Sequence, residues 1–334
     1  MTLYVDDIII ATETLTDMNE CKQEFKDKFK MEDFGPIQEY LNMKIIYKQR
    51  IGSICLNQHK YVTEIVEEYL INKNQKNSIP MREDWDTILD ESELLPEDNN
   101  YRSIIGKLIH LSNLTRFDIT FAVSKLCQYN AKPTVRSMKA LQYLLGYLNS
   151  TLNYAIQLGG HLNDPEGYSD ASYARDPSRE LKSHTGIIFK CGSGPIFWYS
   201  KLQSITTDST LYAEWIALYE ATRTACYFRN ILEDLKIDIS KPTMIFEDNT
   251  NTIDVALNIG NKGKSRHFDT KYYCTKQRVQ ENKVHIQWVP SIENIADMFT
   301  KPLPRDQLRH LCYLGGMITL IDGEPVAMEG RVRM

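Results

Sequence analysis

The apolar positions of this sequence fall into three successive patterns, each typical of a different arrangement of elements. In residues 1–58, short apolar runs predict strands, and the charged stretch LTDMNECKQEFKDKF predicts one helix. In residues 59–153, apolar residues recur at helical spacing in KYVTEIVEEYLI, YRSIIGKLIHLSNL, ITFAVSKLCQYN and SMKALQYLLGYLNS. We therefore expect a strand-rich segment followed by a helical one.

The third pattern, in residues 154–310, alternates strands and helices. YAIQLGG and EGYSDASYA predict strands, and TGIIFKC, the turn GSG and PIFWYSKL predict a hairpin. A long helix over residues 209–235 follows, with Asp208 or Ser209 as its N-cap. The remaining elements are a strand at TMIFED, helices at TIDVALNI and TKYYCTKQRVQ, a strand at KVHIQWVP and a helix at ENIADMFTK. This order predicts a mixed sheet with helices packed on it. Residues 311–334 show no interpretable pattern.

Composition narrows the class of protein. The chain has 334 residues, 42% of them hydrophobic and 25% charged, which is typical of soluble globular proteins with two or three domains. No apolar run approaches the roughly 20 residues that span a bilayer, and no signal peptide is recognisable. The seven cysteines are scattered without a C-x-x-C pair, which favours reduced thiols over disulfides or a cysteine zinc site. With a net charge of −5, contacts with nucleic acid require local basic patches.

Four acidic residues lie in apolar surroundings on separate predicted elements: Asp170, Glu214, Asp248 and Asp297. A buried carboxylate is costly unless it is paired or binds a metal, so we expect these four to converge at one sheet edge. Carboxylate oxygens suit Mg²⁺, and two such ions about 3.5–4 Å apart can activate water and stabilise a leaving phosphodiester oxygen. Taken singly, each of them is more often a surface residue or helix cap, since the chain has 44 acidic residues.

Two further carboxylates, Asp6 and Asp7, are adjacent in LYVDDIII, between apolar runs that predict a buried hairpin. Basic residues concentrate in residues 262–283, where phosphate binding and a solvated helix face are equally good interpretations. The candidate nucleic-acid-binding residues there are Lys264, Arg266, Lys271, Lys276 and Arg278. We expect the tryptophans at 198, 215 and 288 to pack in the core.

Two sets of motifs resemble one known family over residues 2–310. GYSDASYARDP, SHTGIIFKCGSGPIFWYSKLQ, STLYAEWIAL, FEDNTNTI, SRHFDTKYY and IQWVPSIENIADMFTKPL resemble the ribonuclease H domain of copia-type LTR-retrotransposon Pol polyproteins. LYVDDIIIA, FKMEDFGPIQEYLNMKI, LNQHKYVTEIV and YRSIIGKLIHLSNLTRFDITFAVSKL resemble the end of the reverse transcriptase of that family. The chain departs from the family pattern at Tyr212, Phe117 and Asn42, where the family usually has Glu, Pro and Gly; surface positions are expected for the first two.

The resemblance implies an α+β or α/β fold in four segments. Residues 1–58 correspond to a truncated reverse-transcriptase palm, and residues 59–153 to a helical thumb or connection. Residues 154–310 correspond to a ribonuclease H-like domain with a mixed five-stranded sheet and flanking helices, and residues 311–334 to a C-terminal tail.

The resemblance also implies an activity. Asp170, Glu214, Asp248 and Asp297 become the metal-binding carboxylates of ribonuclease H, with Mg²⁺ or Mn²⁺ as cofactor and the RNA strand of an RNA–DNA hybrid as substrate. Tyr4 to Asp7 become the palm hairpin whose aspartates, Asp6 and Asp7, bind metal. The third palm carboxylate of the family lies further upstream, so we expect no primer extension.

The setting implied by the family is the cytoplasm, within a virus-like particle, or the nucleus, without secretion or membrane contact. Upstream Pol segments or a second copy of the chain are further expected partners. His267 matches a family position for which no role follows.

Two alternatives remain open. One is a catalytically silent relic that at most binds nucleic acid or serves a structural role. The other is a strand-transferring integrase or transposase, which Glu214 disfavours because the carboxylate set of those enzymes normally lacks a Glu on the helix after the third strand.

Overall fold

A computed structural model of the chain describes residues 1–48, 52–84, 93–159, 165–173, 182–257 and 269–328. The chain divides into two compact units, residues 1–38 and 39–334. None of the helices in the described residues is both long and apolar enough to span a bilayer.

The first unit consists of a short hairpin and one helix, as the sequence predicts. Strands β1 (Thr2–Tyr4) and β2 (Asp7–Ile9) pair antiparallel, with Tyr4 opposite Asp7. Helix α1 (Leu15–Lys28) begins after Thr14, whose hydroxyl accepts a hydrogen bond from the Asp17 amide, and no residue of this helix is buried.

The second unit contains a six-stranded antiparallel sheet with strand order β13-β12-β6-β5-β4-β3. Its strands come from three of the four predicted segments, residues 1–58, 154–310 and 311–334. The boundaries of those segments stay a prediction. In particular, the strand at YAIQLGG lies in this sheet, between β5 and β12. The strands are β3 (Glu39–Tyr40), β4 (Met43–Lys48), β5 (Ser53–Asn57), β6 (Tyr154–Gly159), β12 (Met317–Ile321) and β13 (Glu324–Ala327).

Four helices predicted from apolar spacing pack together beside this sheet. They bury one continuous cluster of side chains that includes Ile65, Ile104, Leu108 and Leu144. Thr134 and Ser137 form a reciprocal capping box at the start of the last helix. The helices are α2 (His59–Tyr69), α3 (Tyr101–Leu114), α4 (Thr120–Cys127) and α5 (Val135–Ser150).

A mixed five-stranded sheet with strand order β11-β10-β7-β8-β9 follows, which confirms the predicted fold class. Strands β7, β8 and β9 are antiparallel neighbours, whereas β10 is parallel to both β7 and β11. The strands are β7 (Glu166–Ser172), β8 (His184–Cys191), β9 (Gly194–Leu202), β10 (Thr243–Glu247) and β11 (Val284–Trp288).

Helices cover both faces of the mixed sheet. Consecutive β8 residues enter different clusters: Ile187 packs with Trp215, and Ile188 packs with Met298. The predicted helix at ENIADMFTK is only a 3-10 helix (Ile295–Phe299), because Pro302 and Pro304 follow closely. The other helices are α6 (Thr210–Asp234), α7 (Thr250–Leu257), α8 (Asp269–Gln280) and α9 (Arg305–Leu314).

Candidate metal centre

Three of the four predicted carboxylates meet at one end of the mixed sheet. Carboxylate oxygens of Asp170, Asp248 and Asp297 all lie within 4.8 Å of one another. The strand register explains part of this arrangement: Phe246 of β10 pairs with Tyr168 of β7, so residues two positions further along each strand are also neighbours. No other group of three metal-ligating side chains occurs in the part of the chain that the structure describes.

Asp297 reaches the two strands because the 3-10 helix packs directly on β8 at Gly186. A Cβ atom at Gly186 would lie 2.7 Å from the carbonyl oxygen of Ala296 and 2.7 Å from Cβ of Phe299. Gly186 is also the register partner of Asp170. The side-chain amide of Asn294 donates to the carbonyl of Ser169 over 3.0 Å, which ties the start of the 3-10 helix to β7. Neither Gly186 nor Asn294 was predicted from the sequence to be part of the site.

Glu214 lies beside the three aspartates without joining their closest group. This α6 residue is buried, and its Oε2 accepts a hydrogen bond from the backbone amide of Ala171 over 2.8 Å. Glu214 therefore contacts the residue next to Asp170 and connects α6 to the strand that carries that aspartate. The structure thus brings all four predicted carboxylates to one end of the sheet.

A further carboxylate, Glu247, is buried beside them and was not predicted from the sequence. Its Oε2 accepts a hydrogen bond from the Ser169 hydroxyl over 2.7 Å, and its Oε1 accepts one from the Asn249 amide over 3.2 Å. Alternation along β10 places Glu247 on the face opposite to Asp248. The adjacent acids in FEDN were the available signal, because two neighbouring residues of a strand point to opposite faces of the sheet and helices cover both faces here.

Burial and mutual repulsion weaken the acidity of these groups. Burial, followed by the charge of Asp170, raises the pKa of Glu214 well above its ordinary value. Burial likewise raises the pKa of Asp170 and of Glu247. For Asp297, burial and then the neighbouring Asp170 raise the pKa to about 7. Each shift reflects the cost of holding several negative charges in a site with little water.

Lys301 offsets part of this negative charge. Its ammonium nitrogen lies 2.8 Å from Oδ1 of Asp297, one helical turn along the chain. Burial alone would lower the pKa of Lys301, but Asp170 and Asp297 raise it above its ordinary value. The hydroxyl of Thr300 donates a hydrogen bond to Oδ2 of Asp170. The i, i+4 spacing of Asp297 and Lys301 was a signal that the sequence analysis did not use.

The donor set fits a hard divalent cation. Three carboxylates with converging oxygens and a fourth beside them outnumber the Lys301 ammonium that contacts Asp297, so acidic groups are in excess at the centre. Oxygen ligands of this kind suit Mg²⁺ or Mn²⁺, whereas a zinc site would favour nitrogen or sulfur ligands.

Asp6 and Asp7 belong to the first compact unit, whereas the residues of this centre belong to the second. The predicted hairpin is present, and Val5 and Asp6 form its turn, Val5 with φ of 52°. The expectation that these carboxylates are buried is wrong: both are exposed, because a hairpin of two three-residue strands leaves its turn in solvent. Among the described residues, no third ligand joins them.

The basic candidates divide into two groups. Lys264, Arg266 and His267 lie outside the described residues.

On α8, the Lys276 ammonium lies 4.3 Å from the centroid of the Tyr272 ring, and Arg278 donates to Thr222 Oγ1 over 3.0 Å. Lys271 lies 5.4 Å from the ring centroid of Tyr219. These contacts give Lys276 and Arg278 a packing role against aromatic rings and α6, and phosphate binding by the basic stretch stays a prediction.

The tryptophans at 198, 215 and 288 do not share one environment. Trp215 is fully buried, and half-buried Trp198 donates its indole N–H to the carbonyl of Ser112 over 2.7 Å, so both pack as expected. The expectation for Trp288 is wrong, since this side chain is 53% exposed. Its Nε1 donates to the backbone carbonyl of Asp248 over 3.2 Å.

Comparisons with known proteins agree with the family resemblance that the motifs indicate. Residues 1–83 match the family model described as reverse transcriptase (RNA-dependent DNA polymerase). The chain is 30% identical over 327 residues to the retrovirus-related Pol polyprotein from transposon TNT 1-94 of Nicotiana tabacum, covering 94% of this chain and 24% of that protein. It is 28% identical over 306 residues to the corresponding polyprotein from transposon RE1 of Arabidopsis thaliana, covering 91% and 21%.

The chain therefore spans about a quarter or less of the length of these relatives. Among solved structures, LC11-RNase H1 in complex with RNA/DNA hybrid matches 41% of this chain and 93% of its own, with 15% identity and a TM-score of 0.33. The resemblance to copia-type Pol polyproteins, predicted from the motifs, is confirmed by the matches to relatives.

Proposed function

Because the chain is a homologue of copia-type retrotransposon Pol polyproteins over most of its length, we propose that its acidic centre hydrolyses the RNA strand of RNA–DNA hybrids. One observation carries this proposal: the close approach of Asp170, Asp248 and Asp297, with buried Glu214 beside them. Divalent cations bound here would neutralise the clustered carboxylates. The same cations could bind the negatively charged phosphates of a nucleic-acid strand.

Asp170, Asp248 and Asp297 would hold the metal ions, and Glu214 would keep β7 in place through the Ala171 amide. When bound, a pair of Mg²⁺ or Mn²⁺ ions supplies an activated water and stabilises the leaving oxygen of the phosphodiester. Lys301 keeps a positive charge against Asp297, and Thr300 fixes one oxygen of Asp170. Selection of the RNA strand would follow from its 2′-hydroxyls and from the shape of the hybrid.

The test is cleavage of a hybrid with labelled RNA by the purified full chain, in Mg²⁺ and in EDTA. We expect RNA cleavage only with Mg²⁺. Asp170→Asn and Asp248→Asn should lose at least the 10- to 100-fold that removal of a supporting residue typically costs a metal site. Asp306→Asn, an exposed acid on α9, is the matched control and should cleave like wild type.

Equal RNA cleavage by wild type and Asp170→Asn would contradict the proposal, because it would show that the activity comes from elsewhere. Hybrid binding without Mg²⁺-dependent cleavage by wild type would instead support the catalytically silent alternative.

A further inference from the structure

Trp288 combines three properties at the edge of the acidic centre. It ends β11, the edge strand of the mixed sheet, and pairs in register with Glu247 of β10. Its indole N–H donates to the carbonyl of Asp248, one of the three clustered aspartates, over 3.2 Å. Its side chain is nevertheless 53% exposed. The register places this ring on the face of Glu247, and its hydrogen bond to the Asp248 backbone holds it at the sheet end where the aspartates meet, with much of its surface in water.

We propose that Trp288 is a substrate-contact residue whose exposed indole packs against the hybrid beside the cleaved phosphodiester. This inference rests on the proposed function and adds a residue that contacts the sugars of the substrate. Tryptophan supplies a large apolar surface together with a polar N–H. In Trp288 the N–H is already bonded to the protein, which leaves the exposed part of the ring for a ligand.

The position of the indole sets which part of the substrate it reaches. The Trp288 indole is hydrogen-bonded to the backbone of the residue that carries one of the clustered carboxylates. A strand with its phosphate at the aspartates would therefore pass this end of the sheet close to the ring. Bases of a hybrid are stacked inside the duplex, so the contact would fall on the sugars that line its wide minor groove.

The experiment must distinguish contact between the Trp288 ring and the hybrid from positioning of Asp248 by the indole hydrogen bond. Trp288→Ala removes both the ring and the indole hydrogen bond, whereas Trp288→Phe keeps an aromatic face and removes only the hydrogen bond. Tyr227→Ala is the matched control: Tyr227 is 62% exposed and lies 13 residues after Glu214 on α6, about 20 Å along the helix axis.

Steady-state hydrolysis of the hybrid by the full chain gives KM and kcat, and calorimetry gives the Mg²⁺ affinity. We expect Trp288→Ala to raise KM for the hybrid about 10-fold, because apolar contact area with the sugars is lost, with an unchanged Mg²⁺ affinity. Trp288→Phe should stay within about threefold of wild type, and Tyr227→Ala should match wild type. Iodide quenching of tryptophan emission should fall when hybrid binds to wild type, and this change should be absent in Trp288→Phe.

Three results would overturn the inference, and they differ in what they reject. An unchanged KM in Trp288→Ala rejects the contact while leaving the proposed function intact. Equal losses in Trp288→Phe and Trp288→Ala, with weakened Mg²⁺ binding, assign Trp288 to support of Asp248 instead. Absence of cleavage by wild type rejects the proposed function and this inference together.

Discussion

The contact between the Lys301 ammonium and Asp297 determines how strongly the centre attracts cations. The two groups lie 2.8 Å apart, so a metal ion at Asp297 must share that carboxylate with a positive charge. Like charges held a few ångströms apart in a partly buried site repel each other substantially. Lys301 therefore stabilises the metal-free centre and weakens the metal-bound one.

We expect Lys301→Met to bind Mg²⁺ about 10-fold more tightly than wild type, because the competing charge is removed and the carboxylates remain. Isothermal titration of Mg²⁺ into metal-free protein measures this affinity. Lys301→Arg keeps the charge and should bind like wild type. Weaker Mg²⁺ binding by Lys301→Met would mean that Lys301 supports the geometry of the centre more than it competes with the metal.

Single residues also show what the sequence could and could not predict. Asp170, Glu214, Asp248 and Asp297 were predictable, because isolated acids in apolar runs are conspicuous and the family motifs place them. The environment of Trp288 was not, because strand alternation groups it with buried Val284 and Ile286, and only its place at the end of an edge strand exposes it. Phe117, expected at the surface, is fully buried among the rings of Trp198 and Phe299.

At the scale of elements, the centre depends on how closely the 3-10 helix approaches β8. Gly186 permits that approach, since any Cβ there would meet the backbone of Ala296 and the side chain of Phe299 at 2.7 Å. The backbone of the 3-10 helix cannot yield without moving Asp297, which lies one residue after Ala296. Gly186, in the middle of β8, is thus needed for Asp297 of the 3-10 helix to reach its position in the centre.

Gly186→Ala should weaken Mg²⁺ binding and lower the free energy of unfolding by about 1–3 kcal/mol, the usual cost of overpacking. Urea unfolding and Mg²⁺ calorimetry measure the two effects. The matched control is Gly106→Ala on α3, where nothing lies within 4 Å of the added Cβ and helix propensity should give about 0.5–1 kcal/mol of stabilisation. Unchanged Mg²⁺ affinity in Gly186→Ala would show that the 3-10 helix adjusts without displacing Asp297.

The sequence predicted most elements but not all of their partners. Long periodic helices and the β8–β9 hairpin were found because their signals are local. The β12–β13 hairpin was missed, although Asp322-Gly323 is a characteristic two-residue turn and both residues have positive φ. The place of β6 could not be read from its own residues, since its partners are more than 90 positions away in both directions.

At the scale of the whole molecule, the acidic centre makes stability depend on pH and on metal. The pKa of Asp297 is raised to about 7 from an ordinary value of 3.8, so the folded protein holds a proton that the unfolded chain releases more readily. Asp170 and Glu214 shift in the same direction. For carboxylates with raised pKa, the destabilisation is absent below the unfolded value and complete above the folded one. Metal-free protein should therefore lose stability as the pH rises from about 4 to about 7.

Mg²⁺ should reverse this loss, because it binds the ionised carboxylates and only the folded chain gathers them. We expect saturating Mg²⁺ to raise Tm more at pH 8 than at pH 5, where protons compete for the same oxygens. Asp297→Asn should be more stable than wild type at pH 8 in EDTA and should gain little from Mg²⁺, because the substitution removes both the repulsion and a ligand. Thermal unfolding of both proteins at each pH tests this. A larger Mg²⁺ effect at pH 5, or a wild type more stable than Asp297→Asn at pH 8 in EDTA, would show that these carboxylates are held by the fold without mutual repulsion.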